Sequence, residues 1–492
     1  MLTVLLLTLV FLRTQGAPLL LSTGLETDPT IAHTILFGIQ PRSDGSEANM
    51  RTLYEIVRSC LFTIAACVYR AIHQNIPDPT MTMWGRLRVR AKITIYALIA
   101  PEAMIWWAMR QRYGAIEIAN QVKELKCGLN WTQTHGHFAQ MGGFARKDNK
   151  HVLYPATLIE LLQQGWIDPE ELQLTKEDID DKSKGDILSK TLVAFQTTWF
   201  VFECITRLHQ KLPLIELEVV TLAFAILNVI TYALWWYKPL NVLRPIYLRI
   251  RETPEKWHPV PMDYVEDEPG WWKRIWKGSL LALMSMPVLE LFEIGSGEKG
   301  AGMVARETTE DTEWRGWWTT LWEWLIKKPF LAVAWPLREL FVDEEVHSRA
   351  THVSTFYGMD VPDDKFSLVQ RLSCLVGVIF GGIHFLSWHS PFPTHSQLLL
   401  WRISSIILVA QPVSLFLGFI FSTIADRTPS RSWRRSIAEF FQSFFALLSI
   451  FVGPIPYVLA RFCLLVLAFL TLNDLPPHAL DAIAWTSYIP HL

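Results

Sequence analysis

Two stretches near the C-terminus constrain this chain more than anything else in it. Leu398 to Ile424 carries Arg402 as its only charge, and Phe440 to Thr471 is interrupted only by Arg461. A helix needs about 20 apolar residues to cross the hydrocarbon of a bilayer. Runs of this length recur along the chain, and a water-soluble domain has no use for several of them. The expected fold is an all-α, polytopic transmembrane helical bundle, accompanied by interfacial amphipathic helices and long loops.

Six spans are expected, at about Leu53 to His73, Thr191 to Leu208, Leu214 to Tyr237, Leu368 to Trp388, Leu398 to Ile424 and Gln442 to Leu470. Two further segments raise the upper count to eight. Ile93 to Met109 is long enough but holds Pro101-Glu102 at its middle, and Ser279 to Phe292 is short and ends in acidic residues. Broken or short apolar segments are often re-entrant or interfacial.

Composition supports a membrane body with substantial loops. Half of the 492 residues are hydrophobic and 19% are charged, with a mean hydropathy of +0.21. Trp is abundant, at 22 residues, and many flank the apolar runs, where indole rings favour the headgroup layer. The formal net charge of −2 excludes the basic footprint of a nucleic-acid binder. The six cysteines form no CxxC, and five lie within apolar runs, so they read as buried thiols.

Basic residues crowd three loops: Arg86 to Lys92, Arg244 to Lys277 and Arg427 to Arg435. All three share the cytoplasmic side only if 93–109 and 279–292 do not cross. The rival topology lets both cross, and its support is the sequon Asn130-Trp131-Thr132, which needs a lumenal address.

The chain divides into a signal peptide or uncleaved interfacial segment at 1–18, then an N-terminal segment at 19–109 with the first span. A soluble loop region follows at 110–190. Residues 191–292 hold a helical hairpin, a basic loop and the short apolar segment. A Trp-rich interfacial and polar region covers 293–366, and a three-span unit covers 367–492. No internal repeat marks duplicated transporter halves.

The densest chemistry-bearing stretch is Gly381 to Arg402, GGIHFLSWHSPFPTHSQLLLWR. It holds His384, His389 and His395 across a tight, proline-stiffened loop, with Thr394 placed to cap the returning helix. Arg402 lies inside a span, where a charge costs about 3 kcal/mol on insertion scales and needs a partner or a wet cavity. One reading is a polar pocket at the membrane edge, with His384, Arg402 and His395 as catalytic candidates. Trp388, His389, Trp401 and, from a separate loop, His135 would then contact substrate. The alternative is a helical hairpin with interfacial histidines and a snorkelling arginine. A three-histidine metal site is a subsidiary option, but no metal is assigned and no cofactor can be inferred. His135 and His137, in WTQTHGHF, share a face only on a strand.

Phosphate-loop, dinucleotide, zinc-protease, nucleophile-elbow and Asp-rich diphosphate motifs are all missing. Several stretches do carry a resemblance: SCLFTIAACVYRAIHQNIP, ALIAPEAMIWWAMRQ, WTQTHGHFAQMGGF, DKSKGDILSK with FQTTWF, WWYKPLNV, FPTHSQLLLWR and WTSYIPHL. From Leu53 onward the chain resembles a large family of uncharacterised fungal multi-pass membrane proteins. That resemblance implies a membrane bundle and no established reaction. It also implies a link with secondary metabolism, since some members lie near such genes. Family members are often acidic where this chain has Gln397, which counts against a carboxylate role there.

Two functions follow as expectations. One is an intramembrane biosynthetic enzyme that isomerises or cyclises a lipophilic terpenoid or polyketide by acid–base chemistry. The other is a non-catalytic membrane transporter, receptor or scaffold. The expected partners are the lipid bilayer and a lipophilic small molecule.

Overall fold

The computed structural model describes residues 50–183, 186–251, 350–359, 363–429 and 432–483. The expected signal segment at 1–18, the short apolar segment at 279–292 and the Trp-rich stretch around 314–341 lie outside the described residues. What is described is overwhelmingly helical, with one short pair of strands.

Local sequence sets the helix boundaries. Helix α1 (Leu53–Ala65) starts at a capping box, in which Thr52 and Glu55 satisfy each other's backbone amides, and runs into a π-helical turn at Ala66–Arg70. Helix α2 (Met83–Ile99) is capped by Thr82 and stops at Ala100, the residue before a proline. Pro101 then opens α3 (Pro101–Glu124), the one helical position where its missing N–H costs nothing.

The expected apolar segment 93–109 is therefore two helices meeting at a sharp break. Both arms return to one place. Arg90 of α2 donates to Asn241 Oδ1, and Gln111 of α3 accepts from Lys238 Nζ at 2.7 Å. Residues around the Ala100–Pro101 break, among them Ile93, Ala97, Ala100, Ala103 and Met104, are buried in the bundle core.

Beyond the bundle, α3 extends into a smaller polar layer. This contains α4 (Gln133–Gln140), β1 (Phe144–Arg146), α5 (Pro155–Gln163), α6 (Lys176–Asp181) and β2 (Ile246–Leu248). Its own core is built on Ile118, Trp131, Phe138, Phe144 and Leu161. The two strands pair in parallel with Phe144 opposite Ile246. Gly136 lets α4 lie directly on α3, since a Cβ there would sit 2.0 Å from the Ala115 carbonyl oxygen.

Helices α7 (Asp186–His209) and α8 (Glu216–Leu234) form an antiparallel hairpin. At one end of the bundle Arg51 pairs with Glu218, and Glu216 is buried in the same first turn of α8. Arg207, fully buried, does not pair with Glu203 as its spacing would allow. It donates instead to the carbonyls of Pro213, Ala479 and Asp481 and ties the C-terminal segment down. Lys238, His73 and Tyr357 gather at the opposite end.

Helix α9 (Asp363–Ile383) continues as a tight turn at His384–Ser387, and α10 (His395–Arg427) returns beside it. Gly377 and Gly381 of α9 face Pro412 and Leu408 of α10 in the close contact that small residues permit. Helices α11 (Trp433–Leu447) and α12 (Pro454–Leu470) follow, joined by a π-helical turn at Leu448–Val452 and by Gly453. Four helices among the described residues are long and apolar enough to cross a bilayer: Glu216–Leu234, Lys365–Ser387, His395–Arg427 and Pro454–Asn473. Glu216–Leu234 is mostly buried among the other helices, whereas more than half of each of the other three faces outward.

Candidate functional site

The structure separates the residues that the Gly381–Arg402 stretch brings together in sequence. His384 is buried, with Nδ1 2.9 Å from the Phe380 carbonyl, and its own carbonyl accepts from Trp401 Nε1 at 3.1 Å. Trp401 is completely buried beside it. Arg402 does not join them. Its guanidinium donates twice to the Trp388 carbonyl, at 3.0 and 2.8 Å, and lies over the Trp388 ring. It thus caps the end of the turn after α9 and satisfies carbonyl groups that a helix leaves open.

His389 and His395 are exposed. His395 is the first residue of α10, which Thr394 caps through the Gln397 amide. Among the described residues, no group of three His, Cys, Asp or Glu is placed to share a metal ion.

His135 lies in helix α4 rather than on a strand, so the face-sharing argument for His135 and His137 fails there. Tertiary packing on α3 makes this segment helical despite its glycine. His135 Nδ1 accepts from the Thr132 amide at 3.1 Å, its Nε2 lies 2.9 Å from the Leu174 carbonyl, and its ring stacks on Trp131. It closes a helix start and joins two loops.

A different polar centre sits inside the bundle, at the tip of the α2–α3 break. Glu102 is in the first turn of α3, and Tyr457 and Arg461 lie one turn apart on α12. Tyr457 donates its hydroxyl to Glu102 Oε1 at 2.6 Å. Arg461 donates to Glu102 Oε2 at 2.7 Å and, from two nitrogens, to the Tyr457 oxygen at 2.6 and 3.2 Å. The guanidinium also rests on the Phe380 ring, 3.6 Å from its centroid, and the same ring packs tilted against His384 with their centroids 5.1 Å apart. His384 is therefore linked through Phe380 to Arg461, an arginine outside its own sequence neighbourhood.

This arrangement has chemical content. A phenol that accepts two N–H donors while giving its proton to a carboxylate is set up for proton transfer along Glu102–Tyr457. The buried Arg461 Nη1 has no hydrogen-bond partner, leaving its two N–H groups over. Glu102 is not sealed off, since its side chain keeps 20% of its exposure against 5% for Arg461.

Beside Pro101 is a cavity of about 20 Å³, lined by Val68, Ile72, Met104, Phe224 and Asn228, which holds roughly one water. The Asn228 amide orientation is settled locally. Thr197 Oγ1 gives its hydrogen to the Val193 carbonyl and so must accept from Asn228 Nδ2. That leaves Asn228 Oδ1 buried without a protein donor.

The centre had signals in the sequence. Arg461 is the sole charge in its apolar run, and an intramembrane arginine needs an acid. Glu102 is the one acid in the broken segment 93–109. What the sequence lacked was the break geometry that carries Glu102 to α12.

A second polar knot joins the bundle to the polar layer. Lys238 Nζ donates to the His73 carbonyl at 2.5 Å, Gln111 Oε1 at 2.7 Å and Asn75 Oδ1 at 3.1 Å. The rings of Trp107 and Trp235 flank it at 5.0 and 5.1 Å. Burial pushes the Lys238 amine well below its ordinary pKa, and the three acceptors and two ring faces work against that shift. All of its partners named here are neutral and fully packed, so the knot reads as a structural tie.

A family model described as a family of unknown function (DUF8562) matches residues 40–257, which is less than half of the chain. Glu102 and Lys238 fall inside the match, whereas His384, Arg402, Tyr457 and Arg461 fall outside it. No curated protein and no solved structure matches the chain.

Proposed function

We propose that this is a multi-pass membrane enzyme whose Glu102–Tyr457–Arg461 centre performs acid–base chemistry on a lipophilic substrate. Glu102 takes or returns a proton through Tyr457. Arg461 holds the Tyr457 oxygen and offers the two N–H groups of Nη1 to a substrate carbonyl or hydroxyl. Isomerisation or cyclisation of a terpenoid or polyketide fits this machinery, because neither reaction needs a redox partner. The observation that carries the reading is an ionisable triad inside an apolar bundle, where such groups are costly unless they serve a purpose.

The same proposal assigns six crossings: α1 with its π turn, α7, α8, α9, α10 and the α11–α12 pair. The α2–α3 pair is re-entrant. The basic residues of α2 and Arg244, Arg427, Arg434 and Arg435 then share the Lys238 end, which becomes the cytoplasmic side.

A second reading is a non-catalytic transporter, receptor or scaffold. The small size of the cavity beside Pro101 favours it, since a lipid substrate needs roughly 300 Å³ or more. The test is a deletion strain complemented with wild type, Tyr457→Phe or Glu102→Gln, with lipid-soluble metabolites profiled and folded protein quantified. Enzyme activity requires a compound that disappears on deletion and returns only with wild type. Restoration by Tyr457→Phe, or identical profiles of parent and deletion strain, would establish the second reading.

A further inference from the structure

Two prolines interrupt the backbone ladders of α10 and of the α11–α12 joint, and one side chain answers the second interruption. Pro412 stands inside α10 and has no N–H for the Leu408 carbonyl four residues back. Gly381 of α9 packs directly on that carbonyl, where a Cβ would lie 3.0 Å from the oxygen. Its neighbour Phe380 is the ring beneath the Arg461 guanidinium. In the joint, the π-helical turn Leu448–Val452 sends the Gly453 N–H to the Leu448 carbonyl at 2.8 Å, five residues back. The next donor in that register would be Pro454, which has no N–H, so the Ser449 carbonyl has no helical partner.

Gln411, the residue before Pro412, supplies that partner. Its Nε2 donates to the Ser449 carbonyl at 2.6 Å. The hydroxyls of Ser414 and Ser449, both buried, share a hydrogen bond of 2.7 Å beside it. Gly453 leaves the space that Gln411 fills, since a Cβ there would sit 1.6 Å from Gln411 Oε1. The Gly453 carbonyl in turn accepts from the Tyr457 amide at 2.9 Å. The first turn of α12, which carries Tyr457, is therefore built on the residue against which Gln411 packs, and Arg461 follows one turn later.

We infer that Gln411 is a positioning residue for the Glu102–Tyr457–Arg461 centre: it holds the π-helical register from which α12 starts, and with it the rotation that aims both side chains at Glu102. A register change of one residue turns an α-helix by about 100°. That turn would carry the phenol and the guanidinium off the Glu102 carboxylate, which they reach at 2.6 and 2.7 Å. A polar tie that served only as glue between α10 and the joint would stabilise that contact and leave the centre independent of it. Positioning makes the two places interdependent. The geometric part stands without any reaction, and the effect on product rests on the acid–base reading of the centre.

The test is a double-mutant cycle on the full-length chain in mild detergent, with Gln411→Leu, Tyr457→Phe and the thermal midpoint as the readout. Tyr457→Phe should lower the midpoint at least about twice as far in the wild-type background as in the Gln411→Leu background, because a displaced phenol has no carboxylate contact to lose. Should the leucine variant fail to fold, Gln411→Asn, one methylene too short to reach the Ser449 carbonyl, takes its place with the same two outcomes. An equal drop in both backgrounds, or a Gln411→Leu chain that melts with wild type, would overturn the inference. In a deletion strain, Gln411→Leu should restore less than about a tenth of any product that wild type restores, since a misplacement of this kind costs large factors in rate. Full restoration would overturn the inference too. A wild type that restores no product defeats the acid–base reading instead, and the cycle still decides the positioning.

Discussion

Replacing Lys238 with methionine tests whether the knot at the bundle end is a tie or a passenger. Methionine keeps most of the stem volume and removes the three donors. The effects on the partners can be followed one by one. Gln111 Oε1 still accepts from Trp235 Nε1 at 3.0 Å, and Asn75 Oδ1 still accepts from Gln111 Nε2 at 3.1 Å. The His73 carbonyl loses the donor that Lys238 supplies. The three lost hydrogen bonds to the buried amine contribute roughly 1–2 kcal/mol each. Against this stands the relief of no longer desolvating an amine, which keeps the expected net loss at about 2–4 kcal/mol.

The chain carries its own reporters for this measurement. Cys60, Cys67, Cys204 and Cys374 are buried free thiols, so a thiol-reactive dye lights up on unfolding. The midpoint should fall by roughly 2–4 °C for a chain of 492 residues. The pH dependence has a definite sign. Burial lowers the Lys238 pKa in the folded protein below its unfolded value of about 10.4, so the unfolded chain binds more protons between those two values. Wild-type stability should therefore rise with pH across that window, and the methionine variant should lose this rise. A variant that melts at or above wild type, with the same pH slope, would refute the account.

Three further outcomes are expected. Arg461→Met strands the Glu102 carboxylate and should cost about 3–5 kcal/mol, while adding Glu102→Leu should recover most of the loss; additive losses in a double-mutant cycle would refute the pairing. Gly136→Ala pushes a Cβ into the Ala115 backbone and should cost at least about 2–3 kcal/mol, read as a drop in folded yield; normal yield would mean that α3 and α4 are not in contact. Asp78 is the third case. Burial alone would raise its carboxyl, but hydrogen bonds from Thr80 and Thr351 and the charge of His352 hold it below the ordinary value. Its contribution is present above the unfolded carboxylate pKa of about 3.9 and disappears as pH falls through the lower folded value. Asp78→Asn should accordingly cost about 1 kcal/mol at neutral pH and nothing in strong acid; a loss that persists in acid would contradict this.

The sequence alone determined which runs are long and apolar enough to cross a bilayer, because the length and apolarity of a run are properties of consecutive residues. The helix start at Thr394 and the packing face at Gly377 and Gly381 were legible for the same reason. Each depends on neighbours three or four positions away. The break at Pro101 was legible as well, though not its consequence.

Tertiary structure decided which charges meet. Glu102 and Arg461 lie more than 350 positions apart in the chain, and only the packing of the α2–α3 break against α12 pairs them. It also drew Arg402 away from His384 and onto the Trp388 carbonyl, because a helix end offers open acceptors that a distant imidazole cannot match. Lys238 shows the same limit. Beside Trp235 and Trp236 it looks like an ordinary snorkelling cation, and the loop from His73 to Asn75 and the Tyr357 segment are what bury it. Hydrophobic pattern states which residues leave water; the contacts between distant segments settle what the buried polar ones do there.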